Sequence, residues 1–300
     1  SMRETFLDKD FKPIIDSFES FQRRAKEPIT LTIKRGEEVI FPFSMRISSN
    51  FEKSYFYTKR LLLTLLWMVG GEEIFYTGSP LFYHYLEKRL ETDEEILSSL
   101  HEMEKIFNRS FSFKRVEEVP QRKDKVNPFS GSFKGCRIGL DLGGSDRKVT
   151  VVKDNEVLYS EETLWSPKEQ SDPQYHYLGM LDSLERAKKY LPHVDGIGIS
   201  TAGIVANNEL LFAALYAKVT EEKKQKEARP VFKNIMKEHF PNVPFQVEND
   251  GDVSAIGASA LYHKNKVLGL ALGTSFAAGY VKDSSLNGWI SELSKVPINV

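Results

Sequence analysis

Ile138-Gly-Leu-Asp-Leu-Gly-Gly-Ser145 returns, 130 positions further on, as Leu268-Gly-Leu-Ala-Leu-Gly-Thr-Ser275. In each copy apolar residues alternate, which predicts a strand with one buried face, and the glycines then predict a tight turn. Both copies run on to Val-Lys-Asp, at 152–154 and 281–283, with a one-residue offset. A strand, a Gly-rich turn and a returning strand, given twice, point to a duplicated lobe.

Outward from the first copy, Val149–Val152 and Val157–Tyr159 extend it to three antiparallel strands. A helix over 174–191 follows, with Tyr177, Leu178, Leu181, Leu184 and Leu191 on its apolar face. Next come a strand at Gly196–Ile199, a charged helix over 221–240, a strand at Phe245–Val247 and a small-residue helix from about Gly251. Three antiparallel strands followed by alternating helices and strands describe an α/β, ribonuclease H-like lobe. On this reading residues 131–248 are the first lobe and 249–300 the truncated start of a second.

The turns carry the first chemical reading. Glycine lets a backbone approach closely and take positive φ, so main-chain N–H groups can point at phosphate oxygens. Gly143, Gly144 and Gly273 supply that freedom, and Ser145, Thr274 and Ser275 add hydroxyl donors. Either turn alone is also what a plain tight hairpin needs; two of them favour a polyphosphate held from both sides. Asp141 in the first copy is Ala271 in the second. One carboxylate beside phosphates suits a hydrated Mg²⁺. The second dense cluster is Val247-Glu-Asn-Asp-Gly-Asp252, between a strand and a helix. Asp250 there is either a helix cap or a general base for a hydroxyl attacking phosphorus, and Asn249 or Asp252 can take the capping role.

Residues 1–130 read as an α+β domain. Ile29–Ile33 and Val39–Phe43 predict a hairpin across Arg35-Gly36, and an aromatic and Leu-rich helix runs from Phe51 to Gly70-Gly71. Its stripe of Phe51, Tyr55, Phe56, Leu62, Leu63 and Leu66 reads as core. A strand at Ile74–Tyr76, a helix at Pro80–Leu90, a third helix capped by Thr92 with Glu95, and a linker at Pro120–Pro128 complete the region. The 300 residues are 41% apolar and 28% charged, which excludes a disordered tail. Lys and Arg number 41 against 42 Asp and Glu, so no basic field argues for nucleic acid, and no helix-turn-helix is visible. A single cysteine, Cys136, excludes an internal disulfide and a multi-cysteine zinc site. The longest apolar run, Leu61–Val69, is short of a membrane span. Met2 follows a lone Ser1 of the kind a cloning junction leaves, with no secretory signal after it, so a cytoplasmic location is expected.

The six histidines show no metalloprotease spacing, and no nucleophile elbow or Walker A lysine is present. Instead Gly139–Ser145, Gly196-Ile-Gly-Ile-Ser-Thr-Ala-Gly203, Glu248-Asn-Asp-Gly251, Gly269–Ser275 and Ser291-Glu-Leu-Ser-Lys-Val-Pro297 resemble, in order, five motifs of one superfamily. It is the sugar kinase, heat-shock protein and actin superfamily, and within it the ROK (repressor, open reading frame, kinase) family. The resemblance implies duplicated ribonuclease H-like, actin-like ATPase lobes and an ATP- and Mg²⁺-dependent kinase acting on a sugar. It further implies Asp250 as base, Asn249 and Glu292 on sugar hydroxyls, the Ser200-Thr201 loop shaping the sugar side, and Asp141 supporting Mg²⁺. Its partners would be a sugar or sugar derivative and, for the assembly, a homodimer, with no nucleic acid and no membrane.

Three departures stand out. Zinc-binding members carry Gly-His after the glutamate, where this chain has Leu293-Ser-Lys295 and no cysteine cluster follows, so no zinc is expected. The first turn reads Ser145-Asp146 where Thr-Lys or Thr-Asn is usual, an extra carboxylate that Mg²⁺ or Arg147 would have to offset. Val300 follows soon after the second turn. These departures keep a second reading open: a non-catalytic sugar- or nucleotide-sensing protein working through its N-terminal domain.

Overall fold

The structure, a computed structural model, describes residues 11–129, 134–273 and 275–299; Ser1, Met2, Thr274 and Val300 lie outside them. It divides into two compact units, residues 1–126 with 288–300, and residues 127–287. The 131–248 and 249–287 stretches thus fall in one unit, while the last thirteen residues belong with the first.

In the first unit α1 (Ile14–Arg24) precedes β1 (Glu27–Arg35) and β2 (Val39–Ile47), which pair as the expected hairpin from Arg35↔Val39 outward. Then come α2 (Phe51–Met68), β3 (Glu73–Thr77), α3 (Pro80–Leu90), α4 (Glu94–Phe107) and β4 (Ser112–Arg115). The sheet order is β2-β1-β3-β4, with only β3 and β4 parallel. Asn50 caps α2 by accepting the Lys53 N–H at 2.9 Å. Tyr55, Leu62, Leu63 and Leu66 of its stripe are buried, while Phe51 and Phe56 are half-buried. The cap of α4 is Asp93, not Thr92: its carboxylate accepts from Ile96 N and also takes Tyr55 Oη and Lys59 Nζ. The Thr92 hydroxyl turns back instead to the carbonyls of Lys88 and Arg89. The chain end is stitched to this unit by Glu292 N to Trp67 O and Ile14 N to Ile298 O.

The second unit opens with β5 (Asn127–Pro128). It continues through β6 (Cys136–Leu142), β7 (Asp146–Lys153), β8 (Glu156–Leu164), α5 (Pro173–Lys188), β9 (Gly196–Thr201), β10 (Ile204–Ala206) and β11 (Glu209–Phe212). The expected single helix over 221–240 is broken into α6 (Glu221–Lys223), a π-helical turn at Lys224–Ala228 and α7 (Val231–His239). Pro230 stands at the break, where its missing N–H ends the hydrogen-bond ladder. Then follow β12 (Phe245–Asn249), α8 (Asp250–Tyr262), β13 (Val267–Leu272), β14 (Phe276–Lys282) and β15 (Ser285–Leu286).

The main sheet runs β12-β9-β6-β7-β8, with β6, β7 and β8 antiparallel and β9 and β12 parallel to β6. The three antiparallel strands are those read from the sequence. Ile138, Leu140, Leu142, Ile197, Ile199 and Val247 pack on Met180, Leu184, Phe232 and Ile235 of α5 and α7. The buried face of α5 is set by His176, Met180, Ser183, Leu184 and Ala187, and Leu178 is exposed. In the second copy of the repeat β13 and β14 form an antiparallel pair, extended by β15 and β5.

Candidate functional site

Parallel pairing aligns the C-terminal ends of three adjacent strands. Asp141 of β6 stands opposite Ser200 of β9, which stands opposite Glu248 of β12. The next row is Leu142, Thr201 and Asn249, all buried. Because side chains alternate across a sheet, the first row shares the face opposite to the α5–α7 core. A cluster of oxygen ligands therefore collects at one end of the unit, where α8 begins.

Asn249 is the cap of that helix. Its side-chain oxygen accepts the Gly251 N–H at 2.8 Å, and its amide nitrogen donates to Gly203 O at 2.7 Å. One buried side chain thus ties the start of α8 to the Ser200–Gly203 loop, while the Asp250 carboxylate shares the Gly251 N–H at 3.0 Å, a bond that partly offsets the effect of its burial. Burial raises the Asp250 carboxyl above the ordinary aspartate value, and the nearby Asp141 charge raises it further. Asp252, one residue past Gly251, is pushed up more strongly by burial and then by Glu248 and Asp250. Asp141, Glu248, Asp250 and Asp252 therefore form a linked acidic group. Sequence reasoning gave no role to Glu248; its signal was its position in the β12 row.

The first glycine turn is held from behind. Gly143 N donates to Asp146 O, Trp165 Nε1 to Gly143 O at 2.9 Å, and Trp165 N to Ser145 O at 3.0 Å. The carbonyls are thus occupied on one side. Among the described residues, the amides of Gly144 and Ser145 donate to no protein acceptor. Neither Gly143 nor Gly144 takes the positive φ that glycine allows, so the turn presents these two N–H groups without a left-handed residue. The Asp146 carboxylate is answered by Lys148 at 2.8 Å and by Ser145 Oγ at 3.3 Å. Arg147 does not offset it: its guanidinium is buried under the turn, bonded to Gly179 O and Ser183 Oγ and 3.7 Å from Asp182. Trp165, just past the end of β8, is the buttress that sequence reasoning missed.

The second turn, Gly273 and Ser275, closes with Gly273 N donating to Ser275 O at 3.0 Å; Thr274 lies outside the described residues. Its strands carry α8. A Cβ on Gly251 would lie 2.8 Å from the Ala278 backbone, and one on Gly279 would lie 2.6 Å from Asp252 N. The helix that begins with Asp250 is consequently seated on the second hairpin by glycine contacts. Thr201 Oγ1 donates to Ala202 O at 3.3 Å, and Ser200 is half-buried. Glu292 belongs to the other unit, where it is buried and accepts the Ser294 hydroxyl at 2.6 Å.

No family model matches the chain, and no curated protein matches it. Among solved structures it is similar to a ROK hexokinase from Thermus thermophilus, at 18% identity and a TM-score of 0.40, over 53% of this chain and 51% of that one. It is similar to an inorganic polyphosphate/ATP-glucomannokinase from Arthrobacter sp. strain KM, at 18% identity and a TM-score of 0.41, over 53% and 67%. A ROK family transcriptional regulator, a homologue of the E. coli MLC protein, is similar at 15% identity and a TM-score of 0.43, over 72% and 51%. The chain spans about half the length of the hexokinase and of the regulator. No described helix is long and apolar enough to cross a membrane.

Proposed function

We propose that residues 127–287 handle the phosphates and the acceptor hydroxyl of an ATP-dependent sugar kinase, with Asp250 as the general base. The observation that carries this reading is the raised Asp250 carboxyl at the head of a helix whose capping is done by Asn249. A carboxylate with its affinity for a proton raised is better matched to accepting one from a sugar hydroxyl. The hydroxyl O–H bond breaks toward Asp250 as its oxygen bonds the γ-phosphorus, and the bond from phosphorus to the ADP oxygen breaks. The Gly144 and Ser145 amides are the donors proposed for the phosphate oxygens, with Ser275 on the second turn; the Gly143 and Gly273 amides are already engaged within their own turns.

The donor set fits Mg²⁺. Asp141 is exposed, supplies a hard oxygen and already shares its field with Asp250. When bound, the ion would neutralise phosphate charge; Asp141 and Glu248 are the residues proposed to hold it, directly or through water. Substrate contact falls to Ser200, Thr201 and Asn249 in this reading. Glu292 joins them only as an expectation carried from the family resemblance.

The sensing alternative is favoured by one observation: the Asn249 amide is already engaged at both ends. ADP release measured with a panel of hexoses and amino sugars separates the two. A sugar-dependent signal that falls at least about a hundredfold in Asp250→Asn, with sugar binding retained by calorimetry, supports the kinase. Sugar binding without turnover in the unmodified chain favours the sensor and removes Asp250 from the role of base.

A further inference from the structure

The opposite end of the same sheet holds a second group of ligand-type side chains. Cys136 opens β6, and His193 and Asp195 lie just before β9. Five residue steps of strand, roughly 17 Å, separate Cys136 from Asp141. The two segments are bonded reciprocally: Cys136 N donates to Asp195 Oδ2 and Asp195 N to Cys136 O, each at 2.7 Å. His193 Nε2 stands 3.2 Å from the same carboxylate oxygen. The thiol sulfur, an imidazole nitrogen and a carboxylate oxygen all lie within 4.8 Å of one another.

We propose that Cys136, His193 and Asp195 form a Zn²⁺ site at the start of β6 and β9. Tetrahedral zinc, with bonds of about 2.3 Å to sulfur and 2.0–2.1 Å to nitrogen or oxygen, sets its ligand atoms roughly 3.3–3.6 Å apart. Closing the triad to that spacing takes a shift of about 1 Å, and the His193 side chain, 64% exposed, has room to make it. The other two ligands are fixed by the strand register. Gly135 is part of the site's construction: at φ +84° it passes so close that a Cβ would lie 2.5 Å from Asp195 Oδ2.

The donor types decide the metal. A thiolate with an imidazole and one carboxylate suits zinc and disfavours Mg²⁺ or Ca²⁺, which take oxygen ligands. Binding expels the thiol proton, so thiolate and carboxylate together neutralise the dication. Arg137 remains nearby, but its Nε is tied to Lys134 O at 2.9 Å. The buried sulfur and the exposed imidazole and carboxylate leave the fourth position facing solvent, open to water or an external ligand. The site is independent of the Leu293-Ser-Lys295 stretch and of the proposed phosphate chemistry.

Titration of the reduced 300-residue protein with Co²⁺ as a spectroscopic stand-in tests the assignment. Expected are one equivalent bound, a thiolate-to-cobalt charge-transfer band in the near ultraviolet, tetrahedral d–d bands in the visible, and displacement of both by Zn²⁺. Cys136→Ser should abolish the charge-transfer band. Since Cys136 is buried, His193→Ala serves as the exposed variant that keeps the fold, and it should weaken binding at least about tenfold. Absence of the charge-transfer band in folded protein with excess Co²⁺ would overturn the site, as would unchanged affinity in His193→Ala. Asp250→Asn should leave the titration as it is.

Discussion

The seat of α8 on the second hairpin can be tested by adding one methyl group. In Gly279→Ala the new Cβ would lie 2.6 Å from both the backbone nitrogen and Oδ1 of Asp252. Its nearest neighbour would be Asp252 Cα at 2.3 Å, and ordinary contacts between such heavy atoms are about 3.5 Å, so the helix must retreat from β14 by somewhat more than about 1 Å. Part of the obstacle is main chain, which cannot rotate away as a flexible side chain would. Gly269 allows no compensation on the neighbouring strand, where a Cβ would meet Ala255 Cα at 2.7 Å and Gly251 O at 2.8 Å. Overpacking of this kind costs at most about 3 kcal/mol in most cores, and the backbone clash puts Gly279→Ala at that upper end. For a unit of the size of residues 127–287 the melting temperature should fall by about 6–12 °C. Gly198→Ala is the matched control, since nothing lies within 4 Å of its Cβ. Replacing a strand glycine there should be neutral or gain roughly 0.5–1 kcal/mol. Urea and thermal denaturation followed by circular dichroism measure both. If Gly279→Ala stays within about 0.5 kcal/mol of the parent, or both variants lose stability equally, the account of how α8 is held is refuted.

Three further outcomes follow from the geometry. Asp252→Asn should raise the melting temperature at neutral pH. Burial, then Glu248 and Asp250, lifts the Asp252 carboxyl, and a raised acid contributes stability that is full below its unfolded value and lost as pH climbs through the folded one. The gain should therefore shrink toward nothing as pH drops below about 4, and a variant less stable at neutral pH would contradict it. Trp165→Phe keeps the ring but removes the donor to Gly143 O, a loss of about 1 kcal/mol; equilibrium ATP binding should weaken roughly fivefold, and an unchanged affinity would deny the buttress. At the head of α4, Asp93→Ala should cost about 1–2 kcal/mol in urea denaturation while Thr92→Ala stays within about 0.5, because only Asp93 caps the helix and holds Lys59. The reverse order would restore Thr92 as the cap.

Much of the architecture is local enough to be legible in the chain. The hairpin at Arg35, the helices at Phe51 and Pro80, and the strands on either side of each glycine turn follow from alternation, caps and breakers that act over a few residues. Asn249 as the cap was one of two sequence expectations, with Asp252 the other, since Asn and Asp are both favoured at a helix start. Misreadings begin where a side chain answers to something distant. Arg147 lies next to the turn and invites a phosphate-facing role, yet its position on β7 sends it inward to Gly179 O and Ser183 on α5. That insertion engages Ser183 of α5, while His176 is buried against the Pro167 and Leu215 carbonyls and the Tyr216 ring. Thr92 has capping-box spacing, but Lys59 and Tyr55 from α2 reward Asp93 instead.

From the residues in order come the periodicity of each strand, the two glycine turns and the Asn249-Asp250 pair, because each depends on backbone preferences within a turn or two. Tertiary structure alone decides which carboxylates share a field, that Trp165 holds the first turn, that Cys136 meets His193 and Asp195, and that residues 288–300 rejoin the first unit. Those outcomes depend on strand register and on close approach between segments tens to hundreds of positions apart, which no local preference encodes.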